Sequence, residues 1–218
     1  ALTGAADSTL GTAFIAKHSN VYLRGALTFT GKAGIAVMDN TLLTGFTTGS
    51  AMAKTTAEAT TGTPTTTGTI TAANGDALSV GMGSTALLGE LTYEAAQTVL
   101  STQNAAEVYL RTTKQTDPTV NLKMLGQTIA DLAHTGKVTI ENYIMNQSAP
   151  GAGAAIRSDA TDLVITGGVL NAAAGKTGID IAGKTLTLTD TTVAVSGAAA
   201  AAVKANGTDI TATDTVIT

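Results

Sequence analysis

Residues 161–183, TDLVITGGVLNAAAGKTGIDIAG, and residues 184–207, KTLTLTDTTVAVSGAAAAAVKANG, repeat one pattern. The line before them, 137–160, reads KVTIENYIMNQSAPGAGAAIRSDA, and the chain goes on with TDITATDTVIT at 208–218. Val138, Leu163, Leu186 and Ile210 open equivalent segments, spaced by 25, 23 and 24 residues. Ile156, Ile179 and Val203 form a second column, each seven residues before the next opening apolar residue. Within a line the pattern alternates: Leu186, Leu188 and Val193 are apolar, while Thr185, Thr187 and Thr189 carry hydroxyls. Alternation with β-branched residues predicts half-buried strands. Gly167-Gly168, Gly183 and Asn206-Gly207 punctuate the lines as turns. A repeat of about 23 residues holding two or three short strands is one coil of a parallel β-helix, whose coils are stabilised by stacking on one another. The expected fold is therefore mainly β: a right-handed parallel β-helix, or β-solenoid, interrupted by one or two short helices.

Upstream the same phrasing returns. Gly34-Ile35-Ala36-Val37 with Asn40-Thr41-Leu42 parallels Gly178-Ile179-Asp180-Ile181 with Lys184-Thr185-Leu186, and Ala73-Asn74-Gly75 parallels Ala205-Asn206-Gly207. The chain is expected to form one continuous unit: an irregular β-rich region at 1–136 and regular coils at 137–218. Residues 51–68, AMAKTTAEATTGTPTTTG, read as an exposed loop or arm, or as an O-glycosylated stretch. Residues 93–109 and 121–134 are the helix candidates, because Leu91, Ala95 and Val99, and Leu122, Leu125, Ile129 and Leu132, fall near helical spacing.

Composition narrows the function. Ala, Gly and Thr number 39, 24 and 43 of 218 residues, so the core must be thin layers of Val, Ile, Leu and Ala. Charged residues are 13%, well below the roughly 25% usual in soluble domains. Such a surface is covered by hydroxyls or by other subunits. The net charge of -4 and the absence of a basic stripe argue against nucleic acid as a partner. Without cysteine there are no disulfides and no Cys-based metal site. There is no apolar run long enough for a membrane-spanning helix. Ala1 in place of Met fits removal of either a signal peptide or an initiator Met.

The C-terminal lines, SGAAAAAVKANGTDITATDTVIT and GKTGIDIAGKTLTLTDTTVAVSG, resemble passenger domains of bacterial autotransporters and related β-helix adhesins over about 137–218. The resemblance implies an extracellular, right-handed parallel β-helix and carries no catalytic motif.

Several motifs invite chemical readings. Gly178 to Thr185, GIDIAGKT, matches the phosphate-loop pattern letter for letter. That chemistry needs a helix after the loop, and Leu-Thr-Leu-Thr follows instead. Gly81-Met82-Gly83 reads as a turn, and His18 and His134 lack ligand spacing. Asp159, Asp162, Asp180, Asp190, Asp209 and Asp214 would be the carboxylates of a polysaccharide-cleaving β-helix. Most fall at turns, and 137–218 holds Tyr143 alone as an aromatic platform. Asn146-Gln147-Ser148 and Asn206-Gly207-Thr208 fit the N-glycosylation pattern.

The expectation is a non-enzymatic structural protein without a cofactor. A β-helix end is a template for another strand, and the line at 208–218 is only begun. Copies of the chain are the expected partners, with Leu10, Phe14 and Ile15 of a reaching arm at 1–20, and Ile210, Val216 and Ile217, as assembly contacts. The polymer would be a filament, sheath or surface layer at the cell surface or outside the cell. The alternatives are a virion decoration or fibre protein, and an adhesin that binds glycans.

Overall fold

The computed structural model describes residues 2–5, 11–103, 105–113, 121–124, 128–133, 136–197 and 201–218; for 2–5 and 121–124 it describes the backbone alone. The chain winds into a parallel β-solenoid of about eight turns, each of roughly 24 residues. Each coil lays one strand on each of three faces. The first face runs from Leu2–Ala5 through Gly25–Gly31, Thr66–Ala72, Leu91–Ala95, Asn121–Met124, Ile144–Gln147, Val169–Ala172 and Thr192–Val195 to Val216–Ile217. The second runs from Thr12–Lys17 to Val203–Asn206, and the third from Asn20–Tyr22 to Asp209–Thr213, with eight strands each.

Stacking produces continuous inward columns. Phe14, Ile35, Leu78, Leu100, Ala130, Ile156, Ile179 and Val203 follow one another strand to strand on the second face. On the third face Val21, Leu43, Ala86, Val108, Val138, Leu163, Leu186 and Ile210 do the same. Both columns read from the C-terminal repeat are therefore real register columns. Of the upstream parallels, the first is corrected by one residue, since Leu43, not Leu42, joins the column of Leu186; the second fails, because Ala73-Asn74-Gly75 turns the chain from the first face to the second and Ala205-Asn206-Gly207 from the second to the third. Ile35 and Leu43 are eight apart because the corners of the second to fifth coils carry one residue more than those of the first coil and of the last three.

The column members in the middle coils are fully buried. Each buried Leu or Ile is worth about 2 kcal/mol of removed apolar surface before the cost of ordering the chain. The first-face column changes in bulk along the axis, from Phe29, Ile70 and Tyr93 to Met145, Leu170 and Val193. All Phe and Tyr residues stand at or before Tyr143, so the aromatic-rich interior belongs to the first six coils.

The two long helix candidates are strands. Residues 93–109 fall into Leu91–Ala95, Thr98–Thr102 and Glu107–Arg111, and 121–134 into Asn121–Met124 and Thr128–Ala133; Leu125 and His134 lie outside the described residues. A spacing of four fits both periods, and the intervening Tyr93 decides. It is buried with Leu91 and Ala95, an alternation only a strand gives.

The segment 51–68 is not an exposed loop. It belongs to a small lobe that leaves the solenoid after Leu42–Thr44 and rejoins it at Thr66–Ala72. Phe46–Thr48 pairs antiparallel with Ala51–Met52 and Thr63–Pro64, and Thr56–Thr61 forms the only helix among the described residues. Thr55 caps that helix by accepting from the Glu58 amide at 3.2 Å, and the Glu58 carboxylate accepts from the Lys54 amide at 2.6 Å. Phe46, Ala53 and Ala59 bury against Leu87 and Tyr109 on the outside of the third face. Nor do the described residues of 1–20 form a free arm, because Leu2–Ala5 and Thr12–Lys17 pair in parallel with Gly25–Gly31 and Ala33–Met38 as part of the first coil.

Candidate functional site: the two open edges

Burial in a solenoid is supplied by the neighbouring coil, and the last coil shows it. Leu186 and Leu188 are 0% exposed, whereas Ile210, the next member of Leu186's column, is 49% exposed. Ala212, which follows Leu188, is exposed as well. Ile217 extends the column of Val193 on the first face and is exposed, as is its neighbour Val216. Val203 and Ala205 close the second face, the first half-buried and the second exposed. The last strand of each face is therefore an unpaired edge, with a row of apolar side chains beneath it.

The opposite end has three edges of its own, Leu2–Ala5, Thr12–Lys17 and Asn20–Tyr22. Phe14 is half-buried and packs against Phe29 with ring centroids 5.4 Å apart. Val21 is half-buried and Leu23 is buried, and with Phe14, Tyr22, Arg24 and Leu27 they line a cavity of about 320 Å³. Ile15 points outward and is exposed. Leu10 lies outside the described residues. Phe14, Ile15, Ile210, Val216 and Ile217 thus lie on the two edges, Phe14 and Ile15 at one and the other three at the other, separated by the length of the solenoid.

Charge differs between the ends. Near the first edge Lys17 and His18 face Asp39 at 2.8 and 3.5 Å. The Lys17 hydrogen bond holds the Asp39 carboxyl below its usual range, outweighing a small effect of burial, and the Lys17 and His18 charges add to it. Arg24 is exposed, lies over the Tyr22 ring at 5.3 Å and donates to the Tyr22 hydroxyl at 3.2 Å. Among the described residues it makes no ion pair. At the far edge Asp209 and Asp214 are exposed, and Lys204 pairs with Asp180 at 3.1 Å. Lys204 ends an outward ladder of alternating charge, Asp131, Arg157, Asp180, Lys204, in which Arg157 meets Asp131 at 4.0 Å.

The remaining motifs resolve into structure. In Gly178 to Thr185 the strands Thr177–Ala182 and Thr185–Thr189 meet at a corner formed by Gly183 and Lys184, both at positive φ, and no helix N-terminus follows. Gly81 to Gly83 is a turn with Met82 and Gly83 at positive φ. Asp190 and Asp214 occupy positive-φ corners, and Asp162 accepts from the Thr185 amide and hydroxyl at 3.2 and 2.8 Å. Among the described residues no group of three or more His, Asp or Glu is placed to hold a metal ion, and no helix is long and apolar enough to cross a membrane. Sequence reasoning missed the buried carboxylate Glu90, which accepts from Thr112 Oγ1 at 3.1 Å and from the Thr113 amide and hydroxyl at 2.6 Å. It sits at a positive-φ corner and ties the turn after Glu107–Arg111 to the coil before it. No sequence signal marks it.

Set against family models, curated proteins and solved structures, the chain matches none of them.

Proposed function

We propose that this chain is a non-enzymatic structural protein whose copies build an extracellular polymer (a filament, sheath or surface layer) by strand addition at the open solenoid edges. The observation that carries the reading is the change from 0% exposure at Leu186 to 49% at Ile210 in one column. Ile210 and Ala212 stand at inward positions that none of the described coils covers. Contiguous apolar surface bounded by unpaired strands is what strand addition uses. The low charge content and the hydroxyl-rich outer surface favour dense packing of copies, and the resemblance of 137–218 to adhesin-like passenger domains supports a place at the cell surface.

Light scattering over a concentration series tests this. The chain is expected to grow in mass with concentration. Ile210→Asp places a charge in the apolar column, where desolvation opposes stacking. It is expected to hold the protein at monomer mass with its β-sheet circular dichroism intact. A variant that assembles like the parent would contradict strand addition at this edge.

A further inference from the structure

We propose that the partner at each edge is a second copy stacked head to tail in the register the coils already use, with Arg24 of one copy beside Asp214 of the next. This rests on the polymer reading above and adds polarity and register to it.

Extending the pairing by one coil sets Val203 against Phe14, Ala205 against Ala16, Ile210 against Val21 and Ala212 against Leu23 of the next copy. On these two faces every inward position meets an inward apolar one, and on the first face Ile217 comes over Gly4. The open last coil would then cover the cavity of about 320 Å³ between Phe14, Val21 and Leu27. The same register brings Asn20 over Asp209, and Arg24 to the corner at Thr213 and Asp214.

The charges agree with that arrangement. Among residues 11–44 Lys17, Arg24 and Lys32 outnumber Asp39, whereas from Thr192 on Asp209 and Asp214 outnumber Lys204. Opposite ends attract, while tail-to-tail contact would set Asp209 and Asp214 against their own copies. Backbone direction selects the same solution. All solenoid ladders are parallel, and only head-to-tail stacking continues parallel ladders on all three faces. Such a heterologous contact repeats without closing and gives a filament.

The chain has no cysteine, so a pair introduced by substitution reports register directly. N20C and D209C lie at opposite ends of one molecule, beyond the reach of an internal disulfide, but become neighbours across the proposed contact, within the 4.4–6.8 Å Cα separation a disulfide needs. Mild oxidation of N20C/D209C is expected to give a ladder of covalent oligomers on denaturing gels, each single variant giving none. As a second test, R24D and D214R are each expected to raise the concentration needed for assembly about tenfold or more, and their equimolar mixture to recover it as an alternating copolymer. Assembly of the parent without the covalent ladder, or single charge variants that assemble normally, would overturn the register and leave the polymer reading standing. A parent that stays monomeric would overturn both.

Discussion

Threonine is the commonest residue of this chain, and part of its use is at corners. Asp190 turns the backbone through positive φ, and the buried Thr191 then donates its hydroxyl to the Thr189 carbonyl at 2.9 Å, with the Ile165 carbonyl at 3.3 Å. The arrangement recurs at Asp214 with Thr215 donating to Thr213, and at Gly207 with Thr208 donating to Asn206. A residue that tolerates the left-handed region makes the turn, and the following hydroxyl adds a second hydrogen bond to a carbonyl that already accepts an amide of the neighbouring coil, from Gly167 at Thr189, Asp190 at Thr213 and Gly183 at Asn206. From sequence, these Thr residues are indistinguishable from those of the outward hydroxyl rows, because alternation predicts a face and not a local hydrogen bond. Thr191→Val keeps the shape and removes the donor. It is expected to lower stability by about 1 kcal/mol, read as a shift in the urea midpoint. An unchanged midpoint would mean that the corner hydroxyl contributes nothing.

Among the elements, strands were legible where alternation was clean and misread where Thr and Ala diluted it. The C-terminal columns were read to the residue because Leu, Ile and Val mark them in every line. Further upstream, Ala86 and Ala130 occupy column positions where a small residue leaves no hydrophobic signal. The helix Thr56–Thr61 did carry a signal: Thr55 followed three residues later by Glu58 is a capping box, hidden within a run of Thr and Ala. Gly68 shows a constraint no pattern reveals. It lies within the strand Thr66–Ala72 at φ +127, where a Cβ would meet the Leu27 carbonyl oxygen at 1.9 Å, so only glycine allows the coils to approach there. The lobe at 45–65 is held from outside by Arg111. Its guanidinium lies over the Phe46 ring at 4.9 Å and donates to the carbonyls of Thr60 and Gly62 at 2.6 Å each. Arg111→Ala is expected to make the lobe the first site of limited proteolysis while the β-sheet signal persists. Equal resistance in parent and variant would show that the clamp is not what holds it.

For the molecule as a whole, the aromatic-rich coils set the response to alkali. Tyr93, Tyr109 and Tyr143 lie in the interior or under the lobe. Burial pushes the Tyr109 phenol up to about 12, and its 2.8 Å hydrogen bond to Glu141 and that carboxylate's charge add to the effect. Burial pushes Tyr93 well above its usual value, and Tyr143 likewise. A phenol with a raised folded-state pKa stabilises the fold fully below the unfolded value, about 10, and that contribution is lost as pH rises toward the folded value. Stability is therefore expected to fall from about pH 10 upward, and Tyr109→Phe to reduce the slope between about pH 10 and about 12. A flat urea midpoint across that range would contradict the burial of these rings.

At the same scale, the two unlike edges of the described solenoid underlie its proposed role. What the sequence concealed was the opposing charge, since Arg24 and Asp214 are brought to the two edges by winding and not by proximity in the chain. Electron microscopy of the purified protein across a range of concentrations tests the central claim most directly. The account predicts unbranched fibres, or sheets of laterally packed fibres, one solenoid in width at their thinnest and growing in length with concentration. Discrete monomers at every concentration would contradict it.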